Sequence, residues 1–333
     1  MAALISPPEL QYTTENLLSG RRSDGRTLLQ FRDVHIATGV LAQTFGSARV
    51  SCAGTDVIVG IKLETGAVDS DERLQVTVEL SQSSLQSLPS DPTLSLTSHA
   101  FDLISFLYSH PQLSIIPGSK CWHMQLHIDF LAVDGGGNLH DVMSMAIRGA
   151  LYDLKVPRTR PVAFMQSGAA QNKAAADEDE GEDVGMKALL KGRKGAKTQQ
   201  DKQATAADFE LLDYEADTGD FLKDRDTLPV TVSMYLTPKG QRPFLDATLF
   251  ESFAAPTRLI CIFSGGSEGD LRGLKQEIPD GCATSEPNEI PFSEIDGIVD
   301  MAADVAANLA KALNERLKDP KTKQTGVRLG PFP

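Results

Sequence analysis

Residues 120–156 read KCWHMQLHIDFLAVDGGGNLHDVMSMAIRGALYDLKV, and the period of the pattern changes once along them. Trp122, Met124, Leu126, Ile128 and Phe130 alternate with Cys121, His123, Gln125, His127 and Asp129, the period-two mark of a half-buried strand. Gly135, Gly136 and Gly137 then let the chain reverse at low steric cost. Val142, Met145, Ala146, Gly149 and Ala150 follow at helical spacing, a small-residue face able to pack closely on a sheet. Asn138 stands where an N-cap belongs, Asp141 suits the positive end of the helix, and Pro157 lies just past its end.

A glycine turn feeding a helix N-terminus is a ready anion site, because several backbone N–H groups there lack partners. The first turn, Asn138-Leu139-His140-Asp141, brings no Lys or Arg, and Asp141 occupies the place an anion would need. The turn therefore reads as capped from within, with no bound phosphate.

The chain has 333 residues, enough for one large domain or two ordinary ones, and its 41% hydrophobic and 23% charged content is that of a globular protein. No apolar run approaches the roughly 18 residues that span a membrane. The opening MAALISPPEL has no basic region and is broken by Pro7 and Pro8, so no signal peptide is expected. Cys52, Cys121, Cys261 and Cys282 lack paired spacing, which fits a reducing compartment. A net charge of −13 argues against a free-standing nucleic-acid binder, since such binding rests on neutralising phosphates.

Along the chain, a polar arm with a helix near Glu9–Leu18 leads to Arg21, Arg22 and Arg26 around an Asp24-Gly25 turn. A β-hairpin is expected around Ala53-Gly54-Thr55-Asp56. Ser98–Tyr108 reads as a helix with Phe101, Ile104 and Leu107 on its inner face. Residues 166–207 carry DEDEGED and then scattered lysines with no hydrophobic period. They read as a disordered surface insertion, or as a histone- or RNA-contacting tail. Residues 229–237 and 242–251 read as a second hairpin, 257–265 as a strand, and Gly297–Lys318 as a helix with Ile298, Ala302, Val305, Leu309, Ala312 and Leu313 inside. Each half is thus strands followed by a helix, a duplicated α+β plan. The expected division is an arm at 1–30, a first lobe at 31–165, the insertion, a second lobe at 208–325 and a tail at 326–333.

The candidate chemistry is sparse. His123 and His127 lie four strand residues apart, about 13 Å, too far to share an ion whose donors sit about 2 Å away. No metal site is expected. Asp213, Glu215, Asp217, Asp220, Asp224 and Asp226 precede a strand and suit either Mg²⁺ or acid–base work, or plain solvation. Arg148, Lys155, Arg158 and Arg160 form a compact basic group, open to RNA phosphates, to a protein partner, or simply to solvent.

Three segments in combination resemble the RNase PH family: Arg22-Ser23-Asp24-Gly25-Arg26, Gly46-Ser47-Ala48-Arg49-Val50, and Gly54–Gly60 running on to Glu64-Thr65-Gly66. Asp134–Asn138 with its small-residue helix, and Asp246-Ala247-Thr248 with Glu251, extend the likeness into the second half. The resemblance, nearest to the non-catalytic ring subunits of RNA exosomes, implies an RNase PH-like fold of two duplicated βαβα lobes. It implies a structural role in 3′-to-5′ RNA processing and degradation, including rRNA maturation and mRNA turnover. Implied partners are other RNase PH-like ring subunits, cap proteins with OB-type and KH domains, an associated nuclease, and RNA in a channel. Nucleus, nucleolus and cytoplasm are the implied locations, with no membrane and no cofactor. Active members hold phosphate with a Ser/Thr-Arg pair at the core helix start; Asn138 and Leu139 stand there, a degenerate site. They also use arginines on the preceding helix, and Ser98–Ser109 has none. Asp220 and Asp226 have the spacing of the catalytic pair, but alignment on Leu228-Pro229-Val230 moves those positions to Phe221 and Thr227. No catalytic residue is therefore expected. The alternatives are an active phosphate-dependent exoribonuclease using Asp220 and Asp226, and a stand-alone RNA-binding module using the basic group.

Overall fold

A computed structural model describes residues 5–162, 208–212, 219–238, 242–255, 257–265, 269–278, 290, 292–319 and 327–329. The first half contains α1 (Pro7–Leu18), β1 (Val34–Thr38), β2 (Gly46–Cys52), β3 (Thr55–Ala67), β4 (Leu74–Leu80), α2 (Gln82–Ser87) and α3 (Thr93–Ile104). It continues with β5 (Ser114–Ile116), β6 (Lys120–Val133), α4 (Leu139–Asp153), β7 (Lys155–Val156) and β8 (Thr159–Val162). The second half contains β9 (Asp208–Leu211), β10 (Asp220–Phe221), β11 (Val230–Leu236), β12 (Pro243–Leu245) and α5 (Leu249–Phe253). Then come β13 (Thr257–Phe263), β14 (Leu271–Glu277), α6 (Phe292–Lys318) and β15 (Val327–Leu329).

Seven strands form the first sheet, in the order β15-β1-β2-β3-β6-β4 with β5 beside β6. Only the β4–β6 pair is parallel, as a crossover through α2 and α3 requires. The expected hairpin is present. Ala53 and Gly54 take φ of 37° and 98°, the two positive values that a tight turn matching strand twist demands. The second sheet is antiparallel, β12-β11-β13-β14.

Between the sheets runs α4, packed on β1, β2 and β3 and also on β11 and α6. Every residue of α4 except Asp153 is buried. Its small residues permit this: a Cβ added to Gly149 would lie 2.9 Å from the Ala48 Cβ. The face toward β11 is polar. β12 pairs only with Met234, Tyr235 and Leu236, so the earlier part of β11 has no strand on that side. Side chains of α4 complete the ladder there. Ser144 Oγ accepts from the Thr231 N–H at 2.9 Å, Asp141 Oδ2 from the Ser233 N–H at 3.2 Å, and the Ser233 hydroxyl donates to Asp141 Oδ1 at 2.7 Å. Arg148 extends the seam by donating to the Leu228 carbonyl, and to that of Asp226 at 2.9 Å.

Several expectations shift. The helix expected at Ser98–Tyr108 begins at Thr93, and a 3₁₀ segment, Ser105–Ser109, follows it. Its inner face is Leu96, His99, Ala100, Leu103 and Ile104, while Phe101 is 42% exposed. Ile104 and Leu107 are buried as expected, and buried His99 stands on that face while Phe101 does not. The strand expected over 242–251 stops at Leu245, because Thr248 and Glu251 form a capping box that starts α5. α6 begins earlier than Gly297 and buries Ile298, Ala302, Ala306, Leu309, Ala310, Leu313 and Leu317.

The arm and tail belong to the body: α1 packs on α5, and Val327–Leu329 pairs with Val34–Ile36. One hydrophobic cluster runs through both expected lobes. The expected insertion at 166–207 lies outside the described residues.

Candidate functional site

The start of α4 is where chemistry was expected, and a buried charge network occupies it. Asp246, at φ 48° just after β12, is fully buried. Its carboxylate accepts from the Arg32 backbone N–H and Nε, both at 2.8 Å, from Arg32 Nη2 at 2.7 Å and from Arg26 Nη1 at 3.0 Å. Burial pushes the Asp246 acid upward, but the bonds to Arg32 and the charges of Arg32 and Arg26 outweigh it and hold it below the usual range. Arg22 is likewise buried. It donates to Glu251 Oε1 at 2.9 Å, to Glu251 Oε2, and to the carbonyls of Leu245 and Asp246 at 2.8 and 2.9 Å. Arg22 and Arg26 thus lock the N-terminal segment to the second half. Their part in a motif was legible, but not this role, because their partners lie more than 200 residues away.

Asn138 does sit at the N-cap, in the left-handed conformation at φ 50°, but its side chain makes no cap bond. Instead its amide donates to Asp141 Oδ2 at 3.1 Å and to Asp246 Oδ1 at 3.0 Å. Asp141 turns away toward β11, so the internal capping expected from Asn138 and Asp141 is replaced by a bridge across the interface. Burial pushes the Asp141 acid up to about 7, against the bonds from Ser233 and Asn138. The turn is also covered. Leu249 N–H donates to the Gly135 carbonyl at 3.1 Å, and a Cβ on Gly137 would meet Ala247 O and Leu249 N at 2.8 Å. Leu139 is buried and offers no donor beyond its backbone.

Next to this turn, His140 and His99 meet edge to face at 5.1 Å. His99 bonds Thr231 Oγ1 at 2.9 Å. Burial pushes His99 down to about 4 and His140 well below the ordinary value, so both rings are neutral. The nearby cations serve Glu277: Arg258 lies 2.6 Å and Lys275 2.5 Å from its carboxylate. Against burial, those partners and the Ser95 hydroxyl hold Glu277 down at about 2. A cleft of about 600 Å³ opens between the end of α3 and β13–β14, lined by Asp102, Leu103, Phe106, Pro229 and Arg272 among others.

The expected basic group separates. Arg148 is 1% exposed, donates to Leu228 and Asp226 carbonyls and to Asn314 Oδ1 at 2.7 Å, and is pushed down to about 10 by burial. It is a structural residue and not an RNA-facing one. The signal was present: Asp141, Ser144 and Arg148 form one polar stripe on a largely apolar helix. Arg158 pairs with Asp220 at 2.6 Å, and Arg160 is exposed on β8. Lys155 lies with its Nζ 5.5 Å from the Phe221 ring centre.

Asp220 and Asp226 do not face a common site as a free pair. Asp220 is held below the ordinary range by its bond to Arg158, and Asp226 pairs with Lys318 at 3.1 Å. Asp213, Glu215 and Asp217 lie outside the described residues. Among the described residues no group of three or more His, Cys, Asp or Glu is placed to hold a metal ion. The His123 ring, considered for metal, bonds the Ala67 carbonyl at 3.0 Å. No described helix is long and apolar enough to cross a membrane.

Residues 30–157 match the model of the 3′ exoribonuclease family, domain 1. The chain is 27% identical to the exosome complex component Rrp42 of Methanothermobacter thermautotrophicus over 269 residues, which is 78% of this chain and 83% of that one. It is 25% identical to the putative exosome complex exonuclease RRP42 of Dictyostelium discoideum, over 47% of this chain and 66% of that one. Its fold matches a chain of the Archaeoglobus fulgidus exosome with RNA bound to the active site, at a TM-score of 0.61 and 20% identity, covering 93% of this chain and 98% of that one. The architecture is the RNase PH-like α+β fold.

Proposed function

We propose, from the premise that the chain belongs to the RNase PH family, that it is a non-catalytic ring subunit of an exosome-type assembly. The observation that carries this reading is the start of α4. Where active members hold phosphate, Asn138 bridges two buried carboxylates, Asp141 and Asp246, and the first turn of α4, Leu139-His140-Asp141, brings no Lys or Arg. A phosphate dianion needs positioned positive charge, which guanidinium groups supply best. The arginines closest in the network, Arg26 and Arg32, are spent on Asp246.

In this role the chain fills one position of a closed ring, whose geometry requires every position to be occupied. Its partners are RNase PH-like neighbours, cap proteins with OB-type and KH domains, an associated nuclease, and RNA passing through. Its sites of action are the nucleus, nucleolus and cytoplasm, in rRNA maturation and mRNA turnover.

Two measurements test this together. The folded, purified chain is expected to release no nucleoside diphosphate from RNA with inorganic phosphate, with or without Asp226→Asn. Native mass spectrometry of the tagged protein from its own cells is expected to show several related subunits with a nuclease. Phosphate-dependent release abolished by Asp226→Asn would establish the active reading, and a lone chain would remove the ring.

A further inference from the structure

Three of the exposed large apolar side chains stand in one row on β14. Leu271 and Leu274 are each 44% exposed, and Ile278 is 54% exposed. Strand register fixes the face on which they lie. Leu274 pairs with Cys261 and Cys261 with Val232, while Leu271 pairs with Phe263 and Phe263 with Val230. Alternation carries the same face on through Gln276 to Ile278. The opposite face belongs to α3, where His99 bonds Thr231 and Ser95 bonds Glu277.

The face that carries the row is covered by α6, which packs on β11 and β13. Under it Val230, Val232, Leu259, Cys261 and Phe263 are at most 1% exposed. One helix does not cover four strands. With strands about 4.8 Å apart, a helix seated over β11 and β13 has its axis about 7 Å from β14. Neighbouring helices pack about 8–10 Å apart, so the bare strip has the width of one more helix. Its length from Leu271 to Ile278, about 20 Å, equals about four helical turns.

Charge narrows what would lie there. Before Lys311, α6 carries no Lys or Arg and exposes Glu294, Asp296, Asp300 and Asp304. The cations of β14 serve the α3 side, Lys275 pairing with Glu277 and Arg272 lying over the Phe106 ring. We infer that the strip docks a basic amphipathic helix of a partner polypeptide. Its apolar side covers Leu271, Leu274 and Ile278, and its lysines or arginines meet the acids of α6. A strand added to the β14 edge would leave this face bare. A second copy of the chain would bring its own acids against these, a like-charge contact that costs affinity. The inference goes beyond the ring reading, which names no surface, and does not depend on catalytic silence.

Two experiments on the full chain test it. The first titrates a fluorescein-labelled four-turn helix of leucine and lysine, its leucines at i, i+3, i+4 and i+7, by anisotropy at about 100 mM salt. Saturable binding is expected, and Leu274→Asp should weaken it roughly 10- to 100-fold. Attraction by charge alone would instead gain from that substitution. Leu94→Asp adds the same charge on α3, at a residue 84% exposed, and should not weaken binding. Asp300→Asn with Asp304→Asn should weaken it and flatten its salt dependence. Melting curves confirm that each variant folds. The second experiment puts the photo-crosslinker benzoylphenylalanine in place of Leu274 in the tagged chain made in its own cells. The adduct is expected on another polypeptide, in a segment of helical apolar period rich in Lys or Arg. No saturable binding, or Leu274→Asp binding as well as wild type, would overturn the inference. So would an adduct on residues 279–289 of this chain, on a second copy, or on a segment without that pattern. Isolation of the chain alone would strike the ring reading, and the titration would still decide this one.

Discussion

Replacing Asp141 with Asn should stabilise this protein at alkaline pH and leave it unchanged in acid. In the folded state burial pushes the Asp141 acid up to about 7 from an ordinary 3.8. The folded protein therefore keeps this proton to higher pH than the unfolded chain does. Stability tied to it is complete below about 4 and is lost as pH rises to about 7. Each pH unit of that window is worth about 1.4 kcal/mol, so the ionised acid at pH 8 carries a penalty of at most about 4 kcal/mol. Asn fits the bonds of the neutral acid. Its oxygen takes the place of Oδ2, which accepts from the Ser233 and Asn138 N–H groups at 3.2 and 3.1 Å. Its amide replaces Oδ1 and donates to the Ser233 hydroxyl, now 2.7 Å from that atom. The expected gain at pH 8 is about 2–4 kcal/mol, shrinking to near zero at about pH 4. Urea unfolding of both proteins across that range measures it. His99 and His140, whose folded values are depressed, destabilise in acid, but they are common to both proteins and cancel in the difference. A variant no more stable than wild type at pH 8, with the same pH dependence, would refute the reasoning.

Arg148→Met should lower stability by about 3–5 kcal/mol, because the buried carbonyls of Leu228 and Asp226 lose their donor; urea midpoints measure this. Arg22→Ala should remove about 3–5 kcal/mol by leaving Glu251 buried without its partner, and a loss below about 1 kcal/mol in thermal unfolding would contradict the network. Gly137→Ala and Gly135→Ala form a matched pair at φ of 62° and 65°. The first should destabilise by about 2–4 kcal/mol and the second by only about 1 kcal/mol, since only Gly137 has backbone atoms within 3.0 Å of the new Cβ.

The strand–turn–helix at 120–156, the hairpin at Ala53-Gly54 and the last helix were all legible, because their periods are long and their turn residues specific. What the sequence hid were polar groups facing inward. His99, not Phe101, joins Ile104 on the inner face of α3, Arg148 read as a surface cation, and Thr248 with Glu251 turned an apparent strand into a helix start. Periodicity assigns polar residues to the outside. A buried one becomes visible only through its partner, and here Ser233, Leu228 and Asp246 lie 80 to 214 residues from Asp141, Arg148 and Arg32. Asn138 stood out in the sequence as a helix start, but the bridge it makes to Asp141 and Asp246 was not legible.

The seam between α4 and β11 also sets an order on how this chain is made. Asp141 and Ser144 leave the ribosome 92 and 87 residues before the amides they serve. At about 5–20 residues per second the interval is roughly 4 to 18 seconds. Throughout it, the helix at the centre of the molecule has its apolar side ready to pack and its polar side without partners. A messenger truncated before Val230 would yield a product in which Asp141 and Ser144 lack their β11 partners. A slower stretch of translation just upstream would lengthen that exposure, and a faster one would shorten it.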